Sequence, residues 1–214
     1  MEFDTDAIVC AVRGHGEHGT IVRMLTPERG LVAAYVRGGR GRRMRPILIP
    51  GNSVSARLRS RTETQLPQAS IELTHSRASI LGEALPAAAI EWVSALVTAA
   101  LPEHQPFPRL YEAMSGLLDA IEAAPSANRW SAALARFELL LVSELGYGRA
   151  ESNVPENLAG GATEWAKVLS ALDRSSDSLF RDVLTGRFSS LQDGRSRLIE
   201  RLRRAAGEGG LSAR

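Results

Sequence analysis

Several residue types are scarce in this chain, and each shortage removes a class of explanation. There is one cysteine, Cys10, so no disulfide can close within the chain and no cysteine-based zinc site can be built. It lies in the apolar run 7–12, where a buried structural thiol is expected. Lysine is nearly missing: Lys167 stands alone against 25 arginines. Aromatic residues are only 5% of the chain, and the first 75 residues hold two, Phe3 and Tyr35. Proteins that grip single strands by stacking bases use several rings. Any nucleic-acid binding by this region is therefore expected to be led by phosphate contacts. The longest apolar stretch, about 84–101, is interrupted by Glu91 and falls short of a membrane span. The N-terminal Met-Glu-Phe-Asp-Thr-Asp lacks the basic-then-apolar order of a signal peptide. A cytoplasmic, nucleoid-associated protein with no membrane partner is expected.

Acidic residues are missing from one place above all. Residues 37–45 read Arg-Gly-Gly-Arg-Gly-Arg-Arg-Met-Arg, with five arginines and no acid. Glycine lets the backbone bend or move, and arginine presents a planar, permanently charged fork that matches phosphate oxygens. Arg37, Arg40, Arg42, Arg43 and Arg45 are thus candidate polyanion contacts, against the plainer reading of a solvated loop. Charge is also unevenly spread. Residues 1–80 carry 12 arginines and 7 acids, while the remainder carries 14 cations and 17 acids, giving the overall +2. A basic first part and an acidic second part predict two domains with different partners.

Hydrophobic periodicity agrees with that division. Residues 7–12, 20–26, 31–36, 54–59 and 66–73 read as short strands, with a turn at Pro27-Glu28-Arg29-Gly30. Val54, Ala56 and Leu58 alternate with Ser55, Arg57 and Arg59, the period of a strand with one wet face. Arg57 and Arg59, two residues apart, share that face and join the candidate phosphate contacts, with Arg61 beyond them. Five short strands fit a small barrel of OB type. Tyr35 could stack one base or fill the barrel core. From about residue 79 the period becomes helical. One helix begins near Pro86 and carries Ile90, Val93, Leu96, Val97 and Leu101 on one face. A second carries Leu110, Met114, Leu117 and Ile121. A third, capped by Asn128 and ended by Gly146, carries Leu134, Phe137, Leu141 and Leu145. Shorter helices are expected over 163–172, 177–184 and 196–204. The predicted class is α+β in two domains: a five-stranded OB-type barrel over 1–78, then a helical domain over 79–214. Trp92, Tyr111, Trp130, Phe137 and Tyr147 are expected to be mostly core. Arg109, Arg129 and Arg136 lie among the helices, and one of them could edge an apolar groove for an acidic peptide ending in an aromatic residue.

Other motifs carry little. Gly14-His15-Gly16-Glu17-His18-Gly19 matches G-x-G-x-x-G, but a strand pattern follows it, and a dinucleotide site needs a helix there. His15, Glu17 and His18 in one turn rarely close a tetrahedral metal shell, so no metal and no cofactor are expected. No Walker loop, Gly-x-Ser-x-Gly or paired catalytic acids occur. Enzyme activity and a small-molecule substrate are not expected.

The ordered series resembles the RecO family of bacterial recombination mediators. It comprises Val12-Arg13, a turn ending His18-Gly19, Ile21 to Leu25, Thr26-Pro27-Glu28-Arg29-Gly30-Leu31, Arg37-Gly38-Gly39-Arg40, Pro46 and Pro50-Gly51. It continues with Leu134, Arg136, Phe137, Glu138, Leu139 and Leu140, then Glu144-Leu145-Gly146-Tyr147. The resemblance implies an OB-fold that binds single- and double-stranded DNA, and a helical domain that meets the acidic, phenylalanine-ended tail of single-stranded-DNA-binding protein. It implies strand annealing and, with RecR, loading of the RecA recombinase. The DNA contacts it implies are Arg37, Arg40, Arg42, Arg43 and Arg45. Many members carry a four-cysteine zinc module after the Leu-Gly-Tyr segment, whereas Arg149 to Gly161 here contain no cysteine. Residues 149–175 therefore stand in place of that module. Read from residues alone, a protein–protein adapter or an RNA-binding factor on the same barrel also remains open.

Overall fold

The computed structural model describes residues 2–62, 65–124, 126–148, 162–186 and 189–211. Five strands come first: β1 (Glu2–His15), β2 (Gly19–Thr26), β3 (Gly30–Val36), β4 (Ser53–Arg59) and β5 (Gln68–His75). They form one sheet in the order β1-β2-β3-β5-β4, which closes because β1 also pairs with β4. Four of the five seams are antiparallel. The fifth, between β3 and β5, is parallel and consists of the single pair Tyr35–Gln68. Alternation explains the strands. In β4, Val54, Ala56 and Leu58 are fully buried while Arg57 and Arg59 face water. Val9, Val22, Met24, Val32, Ala34 and Ile71 complete the interior.

β1 is twice as long as its apolar run because its polar ends also find partners. Glu2 to Ile8 pair with Arg59 to Ser53, and Ala11 to His15 pair with Arg23 to Gly19. Between these stretches the register slips at Cys10, which sits in a bulge with its thiol buried. The glycine-rich motif at residues 14–19 is the β1–β2 hairpin, with a strand on either side.

Helices follow: α1 (Ala84–Ala100), α2 (Pro108–Ala123), α3 (Ser131–Glu144), α4 (Ala162–Ser178) and α5 (Ser189–Leu211). The predicted Asn128 cap is not made. Residues 127–129 form a 3₁₀ turn, and Trp130 takes the position before α3, because burying its indole completely sets the entry of the helix. The Asn128 carboxamide oxygen instead accepts a hydrogen bond from the Ser126 hydroxyl at 2.7 Å. The predicted stop at Gly146 is present. Its φ is +85°, and the Gly146 and Tyr147 N–H groups donate to the carbonyls of Ser143 and Val142. The two helices expected over 163–172 and 177–184 are one: α4 runs on into a π turn, Leu179–Val183, closed by the Leu184 N–H on the Leu179 carbonyl at 2.7 Å. Ser175 and Leu179 on this stretch are buried, and packing overrides the weak local period.

The chain divides into two compact units: Met1–Gly82 with Val93–Glu112, and Glu83–Trp92 with Ala113–Arg214. In the first, the segment after α1 lies along the barrel. Glu103 bridges to Leu31 and ion-pairs with Arg23 at 3.0 Å, and the His104 N–H donates to the Leu31 carbonyl. In the second, the interior holds an unanticipated charged cluster. Glu138 of α3, wholly buried, accepts a two-pronged pair from Arg195 of α5, at 2.7 and 3.2 Å. The Trp92 indole N–H and the Ser175 hydroxyl donate to its remaining lone pairs. All four acceptor positions of the carboxylate are thereby used, and the Arg195 guanidinium lies 5.8 Å from the Trp92 ring. Trp92, Trp130 and Phe137 are core as expected, Tyr111 is half-buried, and Tyr147 is 52% exposed.

Candidate nucleic-acid interface

The arginine-rich segment between β3 and β4 is a chain of tight turns. The Gly41 carbonyl accepts from the Met44 and Arg45 N–H groups, and the Met44 carbonyl from those of Ile47 and Leu48. Its apolar residues explain this order: Met44 and Ile47 pack on the barrel core and Leu48 is buried. Asn52 fastens the far end. Fully buried, it donates through Nδ2 to the Pro46 and Ile47 carbonyls at 3.0 and 3.1 Å and accepts the Arg77 N–H at 2.9 Å. The glycines suggested a backbone able to bend or move; packing of Met44, Ile47 and Leu48 on the barrel makes it a plate with its arginines outward.

Arg37, Arg40, Arg42, Arg43 and Arg45 are all exposed, but they are not equivalent. Arg40 reaches the β1–β2 hairpin, donating to the Gly16 carbonyl at 3.2 Å and the Glu17 carbonyl at 3.5 Å. Arg45 donates back to the Arg40 carbonyl at 3.1 Å. Arg37, Arg42 and Arg43 have no hydrogen-bond or ion-pair partner among the described residues. Among the described residues their charge is thus not paired. Arg57 and Arg59 do share a face of β4, but each sits opposite an acid on β1. Arg57 pairs with Asp4 and Arg59 with Glu2, both at 2.7 Å. The hydrogen bond from Arg57 draws the Asp4 carboxyl below the usual carboxylate range.

Beside the plate is a groove of about 1020 Å³. The hairpin from His15 to Gly19 forms one wall, and Ser60, Arg61, Gln65 and Leu66, between β4 and β5, form another. Tyr35, Arg37, Arg59 and Gln68 complete the lining. Strand register explains the convergence, since Tyr35 pairs with Gln68 and Gln68 with Arg59, three neighbours on one level of the sheet. Tyr35 is a groove residue, not a core one. Its ring lies against Gly19, where any Cβ would collide with it, and His15 meets it edge-on at 6.0 Å and 81°. Among the described lining residues Glu17 is the one acid, against Arg37, Arg59 and Arg61. This is the face, between the β1–β2 and β4–β5 loops, by which OB barrels take oligonucleotides.

Of the predicted DNA contacts, Tyr35, Arg37 and Arg59 line the groove; Arg40, Arg42, Arg43, Arg45 and Arg57 do not. Sequence reasoning missed His15, His18, Gln65, Leu66 and Gln68. The one available signal was that the G-x-G-x-x-G hairpin joins two strands of a barrel. The three predicted partner-binding arginines are distributed over both units. Arg109, exposed on α2, belongs to the first; Arg129, exposed in the 3₁₀ turn, and Arg136, half-buried on α3, belong to the second. No cluster of histidine, cysteine and acidic residues able to hold a metal occurs among the described residues. Nor is any described helix long and apolar enough to cross a membrane.

Comparison with known proteins agrees with this architecture. Residues 1–77 match the family description "Recombination protein O N terminal", and residues 85–153 match "Recombination protein O C terminal". Proteins named DNA repair protein RecO are similar over much of the chain. One from Paracoccus denitrificans is 39% identical over 148 residues, covering 69% of this chain and 60% of the relative. One from Phenylobacterium zucineum is 40% identical over 149 residues, with the same shares. One from Methylorubrum extorquens is 36% identical over 190 residues, covering 86% of this chain and 74% of the relative. The chain thus spans 60% of the length of the first two. With both parts of the family description matched in order, on a five-stranded sheet followed by helices, this chain belongs to the RecO family.

Proposed function

We propose that this protein binds DNA without catalysing a reaction, anneals complementary single strands and assists recombinase loading during recombinational repair. The observation that carries the reading is the set of exposed cations at one end of the barrel: Arg37, Arg42 and Arg43, without partners among the described residues, and Arg61 in the groove. Cations left uncompensated at one end of a small fold create a local positive potential that concentrates polyanions. The names of the relatives favour DNA over RNA or an acidic protein. Arg40 and Arg45, already bonded to backbone, contribute charge and hold the plate in shape. Arg57, screened by Asp4, contributes least.

We propose further that the DNA-binding part ends near residue 78. The helical part, through Arg109, Arg129 or Arg136, would meet the acidic tail of single-stranded-DNA-binding protein, with RecR as a second partner. A nucleoid location follows from DNA binding. The test is titration of labelled single-stranded DNA at several salt concentrations, followed by annealing of complementary oligonucleotides coated with the cognate single-stranded-DNA-binding protein. Salt-sensitive binding and faster annealing are expected. No binding at micromolar protein and low salt overturns the DNA reading, and slower annealing overturns the mediator role.

A further inference from the structure

We infer that Arg40 is a positioning residue: it clasps the β1–β2 hairpin, one wall of the groove, to the arginine plate and leaves the phosphates to its neighbours. The inference rests on the DNA-binding reading and goes beyond it, since the sequence pattern counts Arg40 with the phosphate contacts. The hairpin needs such a support. β4 follows β1 only as far as Ile8, opposite Ser53, and β3 follows β2 only as far as Thr20, opposite Val36. Residues 14–19 thus form a two-stranded tip with no third strand among the described residues, and a two-stranded ribbon by itself is marginal in water. Three of its six residues are glycine, and His15, Gly16, Glu17 and His18 are exposed.

Side chains meet this tip from both faces, because successive residues of a strand point to opposite sides. On one side His15 and Gly19, which pair with each other, meet the Tyr35 ring. On the other side Gly14 and Thr20, also a pair, meet the plate. A Cβ at Gly14 would stand 3.6 Å from Cζ and Nε of Arg40, so the guanidinium fills the space beside it. A Cβ at Gly39 would stand 2.6 Å from the Thr20 Cβ, so the backbone of the plate is seated directly on β2. From that seat Nη1 of Arg40 donates to the Gly16 and Glu17 carbonyls, while the Arg40 carbonyl accepts from Arg45 Nε at 3.1 Å. A guanidinium engaged by two carbonyls and a backbone surface is not presented to a phosphate, unlike those of Arg42 and Arg43, exposed and unpaired among the described residues. Its charge still adds to the local potential, but its contribution is geometric: a wall fixed before DNA arrives need not be ordered on binding.

The test reads hydrogen exchange at the amides of residues 14–20 in the free protein, and affinity for single-stranded DNA over a range of salt. It compares the wild type with Arg40→Ala, Arg40→Lys, Gly39→Ala and Arg42→Ala. Arg40→Ala should exchange roughly three- to thirtyfold faster at the hairpin, the range for losing a charged hydrogen bond that water partly replaces. It should bind more weakly with its log–log salt slope unchanged. Arg40→Lys keeps the charge without the planar fork and should follow Arg40→Ala. Gly39→Ala, which unseats the plate with every cation retained, should follow it too. Arg42→Ala should do the reverse, losing about 0.7 from the slope with hairpin exchange unchanged. Melting temperatures should stay fixed, since the tip lies outside the barrel interior, and a global loss overturns the local role. A slope lowered by about 0.7 in Arg40→Ala, unchanged hairpin exchange, or wild-type behaviour of Arg40→Lys overturns the clasp and returns Arg40 to the phosphate contacts. Faster exchange with unchanged affinity overturns it as well, because fixing the hairpin then does nothing for DNA. If the wild type binds no DNA, the DNA-binding reading falls, while hairpin exchange still decides whether Arg40 holds the loop.

Discussion

Cys10 shows how one side chain records its surroundings. Burial in the β1 bulge pushes its thiol up to about 12, since a thiolate there would lose its hydration. The folded chain thus keeps a proton that the unfolded chain, with an ordinary thiol near 8.5, releases earlier. The stability this contributes is complete below that ordinary value and is lost as pH rises towards 12. Two outcomes are expected: Cys10 resists thiol reagents in the native protein, and the stability gap between wild type and Cys10→Ala narrows above about pH 9. Alkaline denaturation curves of the two proteins check the second. Arg37 is a different case, exposed and unpaired among the described residues. Arg37→Ala should leave thermal stability unchanged and reduce the log–log salt slope for single-stranded DNA by about 0.7, the share of one phosphate contact. Its place in an exposed basic loop was legible because five arginines without an acid are conspicuous in any fold. That Arg40 serves the loop's shape instead was not, because its partners are carbonyls on a hairpin 23 and 24 residues away.

Secondary elements were read well where one local pattern sufficed. β4 alternates, and α3 ends at a glycine whose left-handed backbone an L side chain adopts only at a cost of about 1–2 kcal/mol. Gly146→Ala should destabilise by that order, measurable in chemical denaturation. Reading failed where a distant contact overrode the local pattern. α4 continues past Leu172 because the Leu172 carbonyl and the Ser175 hydroxyl both engage the Glu138–Arg195 pair. Removing one partner leaves a buried charge alone, so Glu138→Ala should cost about 3–5 kcal/mol, whereas replacing both Glu138 and Arg195 with methionine should cost far less. The arginine plate depends in the same way on Asn52. Asn52→Ala takes the Oδ1 acceptor from the buried Arg77 N–H, at about 1–3 kcal/mol, and strips hydrogen bonds from the Pro46 and Ile47 carbonyls. Faster hydrogen exchange at the amides of Met44 to Leu48 should report the loosened plate.

Over the chain as one object, Arg42 and Arg43 lie outside the groove that Arg37 lines. The combined variant Arg37→Ala, Arg42→Ala and Arg43→Ala removes three exposed cations without touching the barrel interior. It should bind every DNA sequence more weakly to the same degree, lower the single-strand salt slope by about 2, and slow annealing while its melting temperature stays fixed. Unequal losses across sequences would mean that the plate reads bases.

Composition and periodicity were enough for the class of fold, five strands then helices, the basic first part, and the absence of a cysteine zinc site. These are local properties: each strand or helix writes its own pattern of buried faces, and charge can be counted without coordinates. The groove came from elsewhere. It exists because β3 meets β5 through the pair Tyr35–Gln68, bringing residues 35, 59 and 68 to one level of the sheet. No periodicity encodes which strands become neighbours at that seam, since the choice is made by packing one interior from all five strands at once.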